Sequence, residues 1–135
     1  MLKIRAIDHI VLRTENPQAL VDFYQDVLSC TVERQLSPEV GLIQLRAGAS
    51  LIDIVALDSK LGRAGGGPPD PQAGNLDHFC LQIEDMDEEG LSAWLESHNI
   101  NAGNFERRYG AEGFGNSVYI SDPDGNTVEL KVAAD

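Results

Sequence analysis

Two histidines of this chain stand in the same local sequence, once in each half. His9 lies in "DHIVL" and His78 lies in "DHFCL", 69 residues apart in a chain of 135. Each half also places one carboxylate inside an apolar run, Asp53 in "LIDIV" and Glu129 in "TVELK". A carboxylate buried without a partner is strongly unfavourable, so each acid predicts a cation, a solvent contact or a metal ion at its position.

Strand periodicity places these four residues away from the apolar side chains that flank them. Successive side chains of a strand point to opposite faces, so Glu129 faces away from Val128 and Leu130. Two neutral imidazoles and two carboxylates would bind a divalent ion with no residual charge and with positions open for a ligand. The sequence therefore predicts a metal site made of His9, Asp53, His78 and Glu129. A histidine considered alone could instead have a structural role. Asp53 considered alone fits a metal ligand and an acid at the rim of the sheet equally well.

The remaining reactive side chains favour structural or solvated roles. Cys30 closes the first predicted helix, and Cys80 shares a face with His78 without a clear reason to be a nucleophile. His98 is predicted to be solvated at a helix end. Arg107 and Arg108 could bind an anionic substrate, but a solvated pair is the favoured interpretation. "GAEGFG" (110–115) precedes a predicted strand rather than a helix, which weakens a phosphate-binding interpretation.

The elements that must position the site repeat in the same order. The patterns predict a strand at 4–14, a helix capped by Asn16 and Pro17, and strands near 31–36, 41–46 and 50–57. They then predict a strand at 76–83, a helix capped by Asp85 or Asp87, and strands near 101–107, 116–121 and 126–132. The prediction is an α+β fold, a single domain of two βαβββ modules at about 4–57 and 76–132. In the connection 58–76, eight of nineteen residues are Gly or Pro, which predicts a linker or flap without a helix.

The composition and charge of the chain argue against several classes of binding partner. A formal charge of −12, from 22 acids against 10 bases, repels nucleic acid and anionic membrane surfaces. No stretch approaches the roughly 20 apolar residues of a membrane span. Two Cys in a chain with no export segment predict free thiols and a cytoplasmic location. Open strand edges and the long linker predict a homodimer.

The pattern resembles the vicinal oxygen chelate superfamily, which includes glyoxalase I, bleomycin-binding and fosfomycin-resistance proteins and extradiol dioxygenases. The resemblance spans nearly the whole chain and is carried by "DHIVLRT", "FYQDVLS", "LDHFCLQIED" and "NSVYISDPDGNTVEL". It implies that paired βαβββ modules form curved mixed sheets around a metal-binding cup. It also implies that the ligands are His9, Asp53, His78 and Glu129. The second ligand is usually Glu in the small glyoxalase I-like members that the chain most resembles, and Asp53 is one methylene shorter.

The resemblance implies a function as well as a fold. The expectation is a divalent-metal-dependent lyase or isomerase of the glyoxalase type, with Ni, Zn, Mn or Fe as the metal. It would act on a small α-hydroxy or α-keto carbonyl substrate, and Glu129 would move the proton. Two alternatives remain open, a non-catalytic small-molecule sequestering protein of the resistance type and an Fe(II) extradiol dioxygenase-like enzyme.

Overall fold

Each half of the chain folds as one strand, one helix and three further strands. The computed structural model describes residues 1–133, and the chain divides into two compact units, 1–73 and 74–135. The first unit contains β1 (His9–Thr14), α1 (Pro17–Asp26), β2 (Thr31–Gln35), β3 (Leu42–Ala47), β4 (Ser50–Ala56) and α2 (Lys60–Ala64). The second unit contains β5 (His78–Gln82), α3 (Glu88–Ser97), β6 (Glu106–Gly110), β7 (Gly113–Ser121) and β8 (Thr127–Lys131).

The two units share one sheet topology. The strand order is β1-β4-β3-β2 in the first unit and β5-β8-β7-β6 in the second. In each sheet the first and last strands of the module are parallel neighbours, and the other pairs are antiparallel. The predicted α+β fold of two βαβββ modules is therefore confirmed.

Local sequence explains where the two longer helices begin. Asn16 accepts a hydrogen bond from the backbone N–H of Ala19, and Pro17 occupies the first turn of α1, where its missing N–H is not needed. Asp87, one of the two predicted caps, accepts from the N–H of Gly90 at the start of α3. The apolar stripe of α1 buries Leu20, Val21, Phe23 and Tyr24, and that of α3 buries Leu91 and Leu95.

The Gly/Pro-rich connection departs from prediction because it contains α2. Ser59 caps this short helix by accepting from the Gly62 N–H at 3.0 Å. Gly62 has no substitute here, since a Cβ on it would lie 1.9 Å from the carbonyl oxygen of Ala56. Arg13 Nη2 donates to the carbonyls of Gly62, Gly66 and Gly67. The expectation of no helix was wrong because glycine here permits close packing against β4 rather than flexibility.

Two strand boundaries also differ from the prediction. The first strand begins at His9 rather than near residue 4, because its pairing with β4 starts at the His9–Leu51 register. The predicted strand at 101–107 lies instead at Glu106–Gly110, where it forms a tight hairpin with β7. Gly113, at a φ of +96°, permits that turn. Within the described residues no helix is long and apolar enough to cross a membrane.

The strands that carry the predicted acids are buried on both faces. On β4, Ile52, Asp53, Ile54 and Val55 are all at most 5 % exposed. On β8, the residues from Val128 to Lys131 are at most 7 % exposed. Asp53 and Glu129 are therefore buried carboxylates rather than solvated ones, and each requires a specific partner.

Candidate metal centre

The second unit brings His78 and Glu129 into direct contact. On the parallel strands β5 and β8, His78 is paired with Thr127 and Cys80 with Glu129, so the His and the acid are two positions apart on one face. The Nε2 of His78 lies 3.2 Å from the Oε1 of Glu129. Glu129 is 7 % exposed, so this nitrogen and oxygen form a preorganised donor pair in a partly desolvated position.

The first unit repeats the same register offset. His9 is paired with Leu51 and Val11 with Asp53 on the parallel strands β1 and β4. His9 and Asp53 therefore also lie on one face, two positions apart. The recurrence of the offset in both units shows that the duplication extends from the sequence to the placement of the candidate ligands.

Gln44 is the protein partner of the buried Asp53 carboxylate. It stands directly opposite Asp53 on β3, and its amide nitrogen lies 3.3 and 3.2 Å from the two carboxylate oxygens. The amide oxygen of Gln44 accepts from Arg34 Nε at 2.8 Å. This chain of hydrogen bonds holds Asp53 in place, while the carboxylate retains lone pairs for a further partner. The sequence gives no indication of Gln44, because its role depends on the pairing of β3 with β4.

Each candidate histidine is oriented by the aspartate that precedes it. The Nδ1 of His9 lies 2.7 Å from Asp8 Oδ2, and the Nδ1 of His78 lies 2.6 Å from Asp77 Oδ2. A neutral imidazole that donates its Nδ1–H to a carboxylate keeps the lone pair on Nε2, which is the form that ligates metals. In both halves, Nε2 is therefore the imidazole nitrogen whose lone pair can ligate a metal ion. The repeated "DH" dipeptide was the available sequence signal for these two aspartates.

The pKa of His9 is raised above its ordinary value of 6.5, chiefly by the hydrogen bond to Asp8. Desolvation opposes the shift, whereas the charges of Asp53 and Asp8 add to it. Because the folded state binds this proton more tightly, the interaction stabilises the fold below about pH 6.5 and is lost as the pH rises through the folded pKa. The same proton competes with a metal ion for the imidazole.

We therefore expect Asp8→Asn to lower the pKa of His9 in metal-free protein. An NMR titration of the His9 ring protons measures the shift directly. Asp26→Asn, at an exposed position on α1, is the matched control and should leave the titration of His9 unchanged. An identical His9 pKa in wild type and Asp8→Asn would show that Asp8 does not orient this imidazole.

The remaining side chains singled out by sequence occupy structural or peripheral positions. Cys30 and Cys80 are free thiols, and burial is the main cause that raises the pKa of each to about 11. A thiol with so high a pKa is a poor nucleophile near neutral pH. His98 is half-buried rather than fully solvated: its Nδ1 lies 2.9 Å from the carbonyl oxygen of Trp94, and the centroid of its ring lies 4.4 Å from that of the Trp94 ring.

The candidate ligands thus form one pair in each unit, His9 with Asp53 and His78 with Glu129. Within either unit, the described residues bring together no group of three or more His, Cys, Asp or Glu that could hold a metal ion. Each unit supplies one imidazole nitrogen and one carboxylate.

Comparisons with known proteins identify the family of the chain and solved structures of the same fold. The profile of the Glyoxalase/Bleomycin resistance protein/Dioxygenase superfamily matches residues 6–130. A structure from the mobile metagenome of V. pseudocholerae is 26 % identical with a TM-score of 0.77, over 100 % of this chain and 99 % of that one. No curated protein sequence matches significantly.

Two further structures share the fold at lower identity. Lactoylglutathione lyase from Agrobacterium tumefaciens is 24 % identical with a TM-score of 0.66, over 95 % of this chain and 93 % of that one. The fosfomycin resistance protein of Listeria monocytogenes is 17 % identical with a TM-score of 0.69, over 98 % and 96 %. At these identities the likeness concerns the fold. Because the family profile matches residues 6–130, the chain belongs to the Glyoxalase/Bleomycin resistance protein/Dioxygenase superfamily.

Proposed function

We propose that this protein is a divalent-metal-dependent lyase or isomerase of the glyoxalase type. Its substrate is a small α-hydroxy or α-keto carbonyl compound, and the reaction proceeds by proton transfer at carbon. The observation that carries the proposal is the buried carboxylate of Glu129 with its Oε1 3.2 Å from His78 Nε2. A binding protein that only sequesters its ligand has no need of a base at this position.

The donor atoms fit a divalent transition metal. The proposed ligands are His9, Asp53, His78 and Glu129. Two imidazole Nε2 atoms and two carboxylates suit Ni, Zn, Mn or Fe(II), and the Asp8 and Asp77 hydrogen bonds orient the imidazoles as ligands. A metal bound there supplies Lewis-acid polarisation of the two substrate oxygens.

The protein side chains supply the proton chemistry. Glu129 removes a proton from the carbon next to the polarised carbonyl and returns it to the neighbouring carbon or to the same one. Burial on β8 keeps this carboxylate out of bulk water. Asp77 holds the imidazole of His78 in one orientation, and this imidazole in turn contacts Glu129 and helps to fix its position during the transfer.

Hydrogen exchange at carbon tests this function across a range of substrates. Metal-loaded protein is incubated in deuterated water with a panel of α-hydroxy and α-keto carbonyl compounds, including thiohemiacetals and thioesters. Solvent deuterium at the α-carbon, or turnover, supports the lyase or isomerase. Consumption of dioxygen with a catechol would instead assign the dioxygenase activity. Tight binding of a ligand without exchange or turnover would assign the sequestering function.

We also propose that the protein forms a homodimer. Each four-stranded sheet ends in unpaired edge strands, β1 and β2 in the first unit and β5 and β6 in the second. Exposed strand edges are open to pairing with a second copy. Light scattering at micromolar concentration is expected to give twice the mass of 14.7 kDa. A monomer mass would refute the proposal.

A further inference from the structure

Lys131 is a buried cation with unused hydrogen-bond donors. It follows Glu129 by two positions on β8, so both side chains lie on the same face of the sheet. Lys131 is 3 % exposed, and its Nζ donates to the carbonyl oxygen of Gly113 at 2.6 Å. An ammonium carries three donors, and residues 1–133 provide no other acceptor and no carboxylate within 4.0 Å. A buried charge paired only with a backbone carbonyl calls for an anionic partner.

Arg108 on β6 presents a second cation on the same face. Its Nη1 donates to the carbonyl and to the hydroxyl oxygen of Ser117 at 2.8 and 2.9 Å, and its Nη2 donates to the exposed carboxylate of Glu106 at 2.9 Å. Its guanidinium lies 4.3 Å from the ring centroid of Tyr119, and that ring contacts the imidazole of His78 at 5.3 Å. Arg108 is therefore fixed by β7 and is not part of the solvated pair predicted from sequence.

Glycines of the β6–β7 hairpin make room for the lysine. A Cβ on Gly110 would lie 2.8 Å from Lys131 Nζ, so any larger residue would displace the ammonium. Gly115 stands opposite Arg108 in the register, and Gly113 stands opposite Gly110. At these glycine positions, β6 and β7 therefore carry no side chains on this face of the sheet. The glycines of "GAEGFG" therefore leave space on the face that carries Lys131 and Arg108.

The strand register places both cations beside Glu129. On β7, Ser117 is paired with Lys131 and Tyr119 is paired with Glu129. Arg108 donates to the Ser117 hydroxyl and lies over the Tyr119 ring. Lys131 and Arg108 therefore lie on the same part of the sheet as the proposed base.

We propose that Lys131 and Arg108 bind an oxyanion group of the substrate, a carboxylate or a phosphoryl group, next to Glu129. Assigning this group to the substrate rests on the proposed function, whereas binding of the anion itself does not. With a net charge of −12 the chain repels anions at long range, so recognition depends on short-range donors such as these. An ammonium supplies a point charge and a guanidinium supplies a planar set of N–H groups, which together suit such a group.

Carboxylates near Lys131 weaken the site but do not cancel it. Lys131 borders a hollow of about 460 Å³ that is also lined by Glu84, Asp85 and Glu112. These three side chains are exposed, so water and salt screen their charges. Neutralising Glu112 by Glu112→Gln should therefore leave anion binding intact or tighten it slightly.

Titration of metal-free protein with small anions tests the site apart from catalysis. The probes are lactate, methylphosphonate and lactamide, which is the neutral analogue of lactate, and calorimetry or NMR measures each Kd. Wild type should bind at least one of the two anions and should bind lactamide more weakly than lactate. Lys131→Met, similar in length but uncharged, should weaken anion binding about tenfold or more, as the loss of a charged hydrogen bond implies. Lys60→Met, at an exposed position on α2, is the matched control and should have no effect.

Each outcome either supports or overturns the inference. A preference for lactate assigns a carboxylate, and a preference for methylphosphonate assigns a phosphoryl group. Equal binding of lactate and lactamide, or no binding of either anion at millimolar concentration, overturns it without any variant. Unchanged anion affinity in folded Lys131→Met also overturns it. Anion binding without deuterium exchange at carbon would refute the proposed function and leave this site standing.

Discussion

Glu129→Gln is expected to lower the rate of deuterium exchange at carbon by roughly 10²–10⁴-fold, the usual cost of removing a general base. The amide keeps the volume of the carboxylate and one oxygen near His78 Nε2, but it does not accept a proton at neutral pH. Exchange is measured by NMR on the substrate that shows turnover in the panel, with metal-loaded protein.

The metal content of the variant separates the two roles of this side chain. If Glu129→Gln retains its metal and loses exchange, Glu129 is the base. If the variant loses its metal, Glu129 acts mainly as a ligand, and exchange has to be measured at saturating metal concentration. Glu96→Gln, an equivalent change at an exposed position of α3, should exchange at the wild-type rate. Wild-type exchange in metal-loaded Glu129→Gln would contradict the proposed mechanism.

Metal binding is expected to depend on His78. Protein purified without chelators should contain about one divalent ion per chain, as measured by elemental analysis. His78→Ala removes a proposed ligand and should weaken metal binding by more than about 100-fold, since even neighbours of ligands contribute roughly 10–100-fold. His98→Ala is the matched control, because His98 is held by Trp94 at the end of α3.

The metal affinity of Asp53→Ala distinguishes a four-ligand metal site from a three-ligand one. If Asp53 is a ligand, Asp53→Ala should weaken metal binding by about tenfold or more. Unchanged affinity would leave His9, His78 and Glu129 as the ligands, with Asp53 serving only as the partner of Gln44. If none of Ni, Zn, Mn and Fe(II) binds in a competitive titration, the entire ligand assignment is refuted.

Much of the fold could be predicted because its determinants are local. Asn16 and Pro17 start α1, and Asp87 starts α3, through contacts within three residues. The alternation around Asp53 and Glu129 predicted β4 and β8 because side chains of a strand alternate between its faces regardless of its partners. The repeated "DH" dipeptide and the repeated intrastrand acid indicated the duplication for the same reason.

The prediction from composition was wrong where tertiary packing overrides the intrinsic conformational propensity of the residues. The connection after β4 has the glycine content of a linker, yet α2 forms there, because Gly62 lies against the Ala56 carbonyl and Arg13 binds three carbonyls of the segment. The sequence of Arg107 and Arg108 likewise looks like a solvated pair. In the structure, contacts with Ser117 and Tyr119 hold the second arginine, Arg108, against the sheet.

The sequence by itself therefore determined the order of the strands and of the two longer helices, the starts of those helices, the family resemblance and the four candidate ligands. The tertiary structure decided which side chains support them. Gln44 meets Asp53 through the β3–β4 register, and the burial of Lys131 depends on glycines of a neighbouring hairpin. These contacts depend on which strands become neighbours and in which register. A one-residue shift in that register would turn every such side chain to the opposite face, and no local pattern encodes it.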